Sequence, residues 1–70
     1  MDFEYLSNAL YLEEYLLDRT STALSAAMSR YDRNPTEENN KKIKELQDAF
    51  DRHKQQIDNL RSALIEVNKH

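Results

Sequence analysis

The sequence predicts an all-α protein: an antiparallel two-helix hairpin that packs like a coiled coil. Three observations carry this expectation. The 70 residues include no glycine, one proline and no cysteine, so helix formers prevail and tight strand hairpins lack their usual turn residue. Ile43, Leu46, Phe50, His53, Ile57, Leu60, Leu64 and Val67 follow one another at alternating steps of three and four, which is a heptad seam with one polar position. Upstream, Phe3, Leu10, Leu17, Leu24 and Tyr31 recur every seven residues. A narrow apolar stripe cannot bury itself, so each helix is expected to cover the other.

The first helix is expected over about residues 3–31, a stretch without proline or glycine. Leu6 and Ala27 extend its seam, while Glu13 and Thr20 interrupt it. A second row, Tyr5, Ala9, Leu12, Leu16, Arg19, Ala23 and Ala26, lies roughly 100° around the helix from the first. Tyr11 and Tyr15 widen the apolar coverage. One neighbour covers one stripe, so two adjacent stripes call for two neighbours, the second from outside the chain.

Residues 32–36, Asp-Arg-Asn-Pro-Thr, form the expected turn, because the residue before proline is steered away from helical torsions. Asn34 is a suitable N-cap for the next helix, with Pro35 at its first position and Glu37 three residues after the cap; Thr36 is the alternative cap. The second helix then runs from about residue 36 to residue 67. Glu37–Lys41, Glu38–Lys42 and Asp48–Arg52 stand at i,i+4 on it, each pair worth about 0.2–0.5 kcal/mol. Its outer face is polar apart from Ile65, and Ala49 and Ala63 flank the seam. Residues 68–70 are expected to fray.

A short turn makes the helices antiparallel neighbours. With the turn near residue 33 or 34, residue i faces residue 67 − i, which matches Leu24 to Ile43, Leu17 to Phe50, Leu10 to Ile57 and Phe3 to Leu64. The same rule sets Glu13 or Glu14 against His53. The pair Glu13 and His53 is read as a polar layer that fixes register, as single polar seam residues do elsewhere. The sharper alternative is a pH-sensitive contact. A metal site would need further ligands.

The charge pattern bounds the partners. The net charge is −3, and from Pro35 onward seven acids meet seven bases, so the whole deficit sits in the first half. No base precedes Arg19. Nucleic acid and anionic membranes call for basic patches and are not expected partners. No apolar run approaches a membrane span, and Asp2 and Glu4 stand where a signal peptide is basic, so a cytoplasmic location is expected. A single core of this size supplies about 3–5 kcal/mol at most. No catalytic constellation, cofactor motif or metal-ligand spacing is present, and a two-helix rod offers no concave pocket; the expected role is non-enzymatic.

All four tyrosines, at positions 5, 11, 15 and 31, belong to the first helix. Tyrosine is favoured in interface anchors. Tyr5, Ala9, Tyr11, Leu12, Tyr15 and Leu16 are therefore the expected partner-binding surface, and its acidic rim suits an apolar helical groove with basic edges. Three readings follow. The chain is a module that docks on a different protein, or a self-assembling hairpin forming a homodimeric four-helix bundle, or a small acidic regulatory inhibitor.

This plan, a glycine-poor, cysteine-free hairpin with a turn at Asn34-Pro35-Thr36, resembles the small co-chaperones of type III secretion needle subunits, and the needle subunits themselves. The resemblance implies two helices meeting at a short turn. It implies for a co-chaperone that the chain joins a tetratricopeptide-like chaperone and holds the needle subunit soluble in the cytosol. The proline-containing turn is similar to that of needle subunits, but Val67-Asn68-Lys69-His70 lacks their apolar C-terminal segment. The likeness is one of architecture and carries over no individual residue.

Overall fold

A computed structural model describes residues 2–69. The chain forms α1 (Phe3–Arg33) and α2 (Glu37–Asn68), packed against each other as a helical hairpin. A 31-residue helix rises about 46 Å, so two such helices joined by three residues make a rod, measuring 53 × 14 × 12 Å. No helix among the described residues is long and apolar enough to cross a membrane.

Each helix begins on a side-chain cap. The carboxylate of Asp2 accepts from the Tyr5 N–H at 2.8 Å, and Glu4 adds a negative charge in the same turn. At the hairpin turn the structure selects Thr36, not Asn34, as the N-cap of α2: Thr36 Oγ1 accepts from the Asn39 N–H at 3.1 Å. Asn34 instead closes α1, donating its N–H to the Arg30 carbonyl at 2.9 Å. Its own carbonyl accepts from the Thr36 N–H and from Asn39 Nδ2, both at 2.8 Å. Asn34 is thus committed to the first helix, and Thr36, extended at ψ 160°, is the residue free to cap the second. Pro35 lies outside α2 rather than in its first turn. Replacing Thr36 with alanine should cost about 1 kcal/mol, measurable as a lowered urea midpoint at unchanged m-value.

The core follows the two seams. Leu6, Ala27, Ile57 and Leu60 are buried, and the remaining seam residues from Leu10 to Tyr31 and from Ile43 to Val67 are half-buried. Thr20, a polar interruption of the first seam, turns its hydroxyl back to donate to the Leu16 carbonyl at 2.8 Å, so it brings no unmet hydrogen bond into the interface. Phe3 departs from expectation. Expected to be covered at the seam, it is half exposed, because a ring in the terminal layer has neighbours on one side only. The ion pairs within 4.0 Å among the described residues are His53–Glu13, Arg61–Glu14 and Lys69–Glu66. The three expected i,i+4 pairs of α2 are not among them; their long side chains lie in solvent, where ordering them gains little.

Candidate functional site

Two features carry chemistry beyond packing: the polar layer inside the hairpin and the uncovered side of α1. In the polar layer, His53 Nδ1 stands 2.7 Å from Glu13 Oε2, across helices and forty residues apart in sequence. Of the two carboxylates that the antiparallel register left open, Glu13 is the one that meets His53, while Glu14 reaches Arg61 at 3.6 Å. An ionised carboxylate only accepts, so Nδ1 carries the proton in this contact. That holds for the neutral Nδ1–H tautomer and for the imidazolium alike. The geometry therefore explains register without a change of charge. The two side chains keep 27% and 22% of their surface, so water still reaches the pair.

The pair with Arg61 differs in kind. Both partners are largely in solvent, at 61% and 48% exposure. Arg61→Ala should change stability by less than about 0.5 kcal/mol, and a denaturation curve that overlays the parent would confirm it.

The α1 face is apolar and open. Tyr5, Tyr11, Leu12 and Tyr15 are exposed, and Ala9 and Leu16 are half-buried at the shoulder of the intrahelical seam. The expected surface is thus brought together on one helix and left uncovered by α2. Phe3, assigned to the seam from its heptad position, joins this exposed set. At 100° per residue the set divides. Tyr5, Ala9, Leu12 and Leu16 line the flank next to the seam. Tyr11 lies on the opposite flank, the one that carries Glu14, and Tyr15 occupies the back. A single partner helix covers the first group and not the second.

Arg19 organises part of this surface. Its Nη1 donates to the Tyr15 hydroxyl at 3.1 Å, and its guanidinium lies 5.8 Å from the centre of the same ring. Hydrogen bond and cation–π contact together, worth about 0.5–1 kcal/mol at an exposed site, hold Tyr15 and Arg19 in one arrangement. The spacing i,i+4 is the only sequence signal for this contact.

Among the described residues, no three or more His, Cys, Asp or Glu side chains converge on a position that could hold a metal ion. Beside the turn, a shallow depression lined by Arg30, Glu38, Asn39, Lys41, Lys42 and Glu45 mixes both signs of charge.

Comparison with known proteins yields no match: no family model, no curated protein and no solved structure is significantly similar to this chain.

Proposed function

We propose that this chain is a small, non-catalytic protein-binding module that docks through the uncovered side of α1. The observation that carries the reading is the contrast between the two helices. The exposed face of α2 is polar except for Ile65, whereas the first half of α1 exposes Phe3, Tyr5, Tyr11, Leu12 and Tyr15. A helix apolar on two sides is a helix with two neighbours, and aromatic residues are the side chains that anchor interfaces.

The area supports the same reading. A compact protein of 8.3 kDa is expected to expose about 4,600 Å², but the hairpin exposes 5530 Å². The difference, spread over the whole rod, is on the scale of one side of a standard interface, about 800 Å².

The finer proposal, that the partner is a helical chaperone and the cargo a needle-type subunit in the cytosol, rests on the likeness in architecture to type III secretion co-chaperones. The acidic first half of α1 suits a partner groove with basic edges.

The test compares two positions of a photo-activatable crosslinking residue in the cell that makes the protein. Position 12 lies on the proposed face and position 55 on the polar face of α2. Adducts at 12 and none at 55 are expected, and Tyr5→Ser, on the same flank as residue 12 and exposed in the hairpin, should weaken them while leaving helicity intact. Equal labelling at both positions, or none, would remove the face as a binding surface.

A further inference from the structure

We infer that in the free protein the α1 stripe is covered by a second copy of this chain, packed antiparallel so that residue i of one copy lies level with residue 35 − i of the other. The inference rests on reading this face as an interaction surface and names the occupant.

The stripe next to the hairpin seam continues to Arg30: Tyr5, Ala9, Leu12, Leu16, Arg19, Ala23, Ala26, Arg30. Its steps are 4, 3, 4, 3, 4, 3, 4, a series that reads the same in both directions. Reversal therefore maps every stripe position onto another stripe position. Tyr5 meets Arg30, Ala9 meets Ala26, Leu12 meets Ala23 and Leu16 meets Arg19. None of these eight residues is buried within the hairpin.

Side-chain size favours this pairing over the parallel one. The antiparallel match sets Leu12 against an alanine and offers Arg30 the Tyr5 ring, a cation over an aromatic face. The Arg19 stem can lie along Leu16 with its head in water. A parallel pair would stack Arg19 on Arg19 and Arg30 on Arg30, and would leave three alanine-only layers, at 9, 23 and 26, where the antiparallel pair has only the Ala9–Ala26 layer, once towards each end. Like charges stacked in register are unfavourable, and empty layers lose packing.

Charge agrees. No base precedes Arg19 in α1, and Arg30 and Arg33 end it. Antiparallel packing brings the acidic start, with Asp2 and Glu4, beside the basic end of the other copy. Glu4 and Arg33 lie about 20° apart around the helix axis; a two-fold axis sets that flank of one copy against the same flank of its mate. The stripe stands roughly 100° from the hairpin seam, close to the right angle between neighbours in a four-helix bundle.

Absence of native cysteine makes a direct test available on the full chain. Leu12→Cys and Ala23→Cys are prepared as separate variants, each checked for helicity, and oxidised alone and as an equal mixture. In the inferred dimer residue 12 is level with residue 23 of the other copy, within disulfide reach. Two copies of residue 12 are eleven residues apart along the axis, about 16 Å. A disulfide needs Cα atoms within about 7 Å. The expected result is a covalent dimer from the mixture and little from either variant alone. Crosslinking by each variant alone would mean parallel pairing and overturn the inference. No crosslinking in any sample, with a monomer in sedimentation, would overturn it as well. In that case adducts of another protein at position 12 would keep the binding face, and their absence would remove both.

Discussion

Leu6→Ala should unfold the isolated hairpin. Leu6 is the most deeply buried side chain, at 1% exposure, and the register set by Glu13 and His53 places it level with Leu60. Around it, at the open end of the rod, Phe3 and Tyr5 face solvent, so Leu6 is what fastens the start of α1 to α2. Truncating a buried leucine costs about 2–5 kcal/mol. A core of this size supplies about 3–5 kcal/mol in total. The two ranges overlap, and a large loss of far-UV helical signal at 25 °C is the expected reading. Leu12→Ala is the matched control: the same atoms are removed, but Leu12 is 55% exposed in the hairpin. Its monomer stability should change by less than about 1 kcal/mol, since little burial is lost and alanine is the better helix former. Equal effects of the two substitutions would mean that the burial pattern is wrong.

Breaking the polar layer from one side should be costlier than removing it whole. His53→Leu leaves Glu13 in a partly buried seam without its donor, and Glu13→Leu leaves His53 without its acceptor. Each single change should cost about 1–3 kcal/mol, the usual range when a hydrogen bond to a charged group is lost and its partner stays desolvated. The double variant Glu13→Leu/His53→Leu should recover most of that loss or exceed the parent, because apolar replacement of such a pair is often stabilising. A coupling energy near zero in the double-mutant cycle would show that the 2.7 Å contact contributes nothing. What the polar layer provides in exchange is register: a one-residue slip would move His53 away from Glu13 and leave both unpaired in the seam.

The seam was legible in the sequence because a coiled-coil interface repeats. Seven apolar positions and one histidine in strict alternation of steps determine a face, and the length of the turn determines the direction of return. The same arithmetic found the polar layer to within one residue, leaving Glu13 and Glu14 open; only the three-dimensional reach of each carboxylate separates them. The sequence leaves two caps open for α2, and the structure takes the alternative one for a local reason. Asn34 and Thr36 are both good caps, and the choice depends on α1 claiming the Asn34 N–H and on Asn39 reaching back to its carbonyl. Phe3 is more exposed than its heptad position implies, because periodicity knows nothing of ends. The two flanks of the α1 surface show the limit in the other direction. Composition groups Tyr5 with Tyr11, yet Tyr5 belongs to the stripe beside the seam and Tyr11 lies about 120° around the helix from it. Partner identity is not encoded in such a surface at all; area, size alternation and charge are, and these specify the occupant only when the surface is its own complement.

The α2 helix has one apolar stripe and one neighbour. The α1 helix has two stripes and, within the chain, a single neighbour. Under the proposal, self-pairing and capture of a different helical protein would use the same residues, so a heterologous partner would have to displace the second copy, and its apparent affinity would fall as the protein concentration rises.

Sedimentation equilibrium of the unmodified chain, at several concentrations near neutral pH, tests this most directly, with Leu12→Glu alongside. The predicted result is a species of twice the 8.3 kDa chain mass for the parent and a helical monomer for the variant, since a carboxylate placed against Ala23 of the other copy would be buried without a partner. A parent chain that stays monomeric at every concentration, fully helical and unfolding cooperatively, would contradict the inferred self-pairing, and the second stripe of α1 would then keep a role only if another protein is captured at position 12.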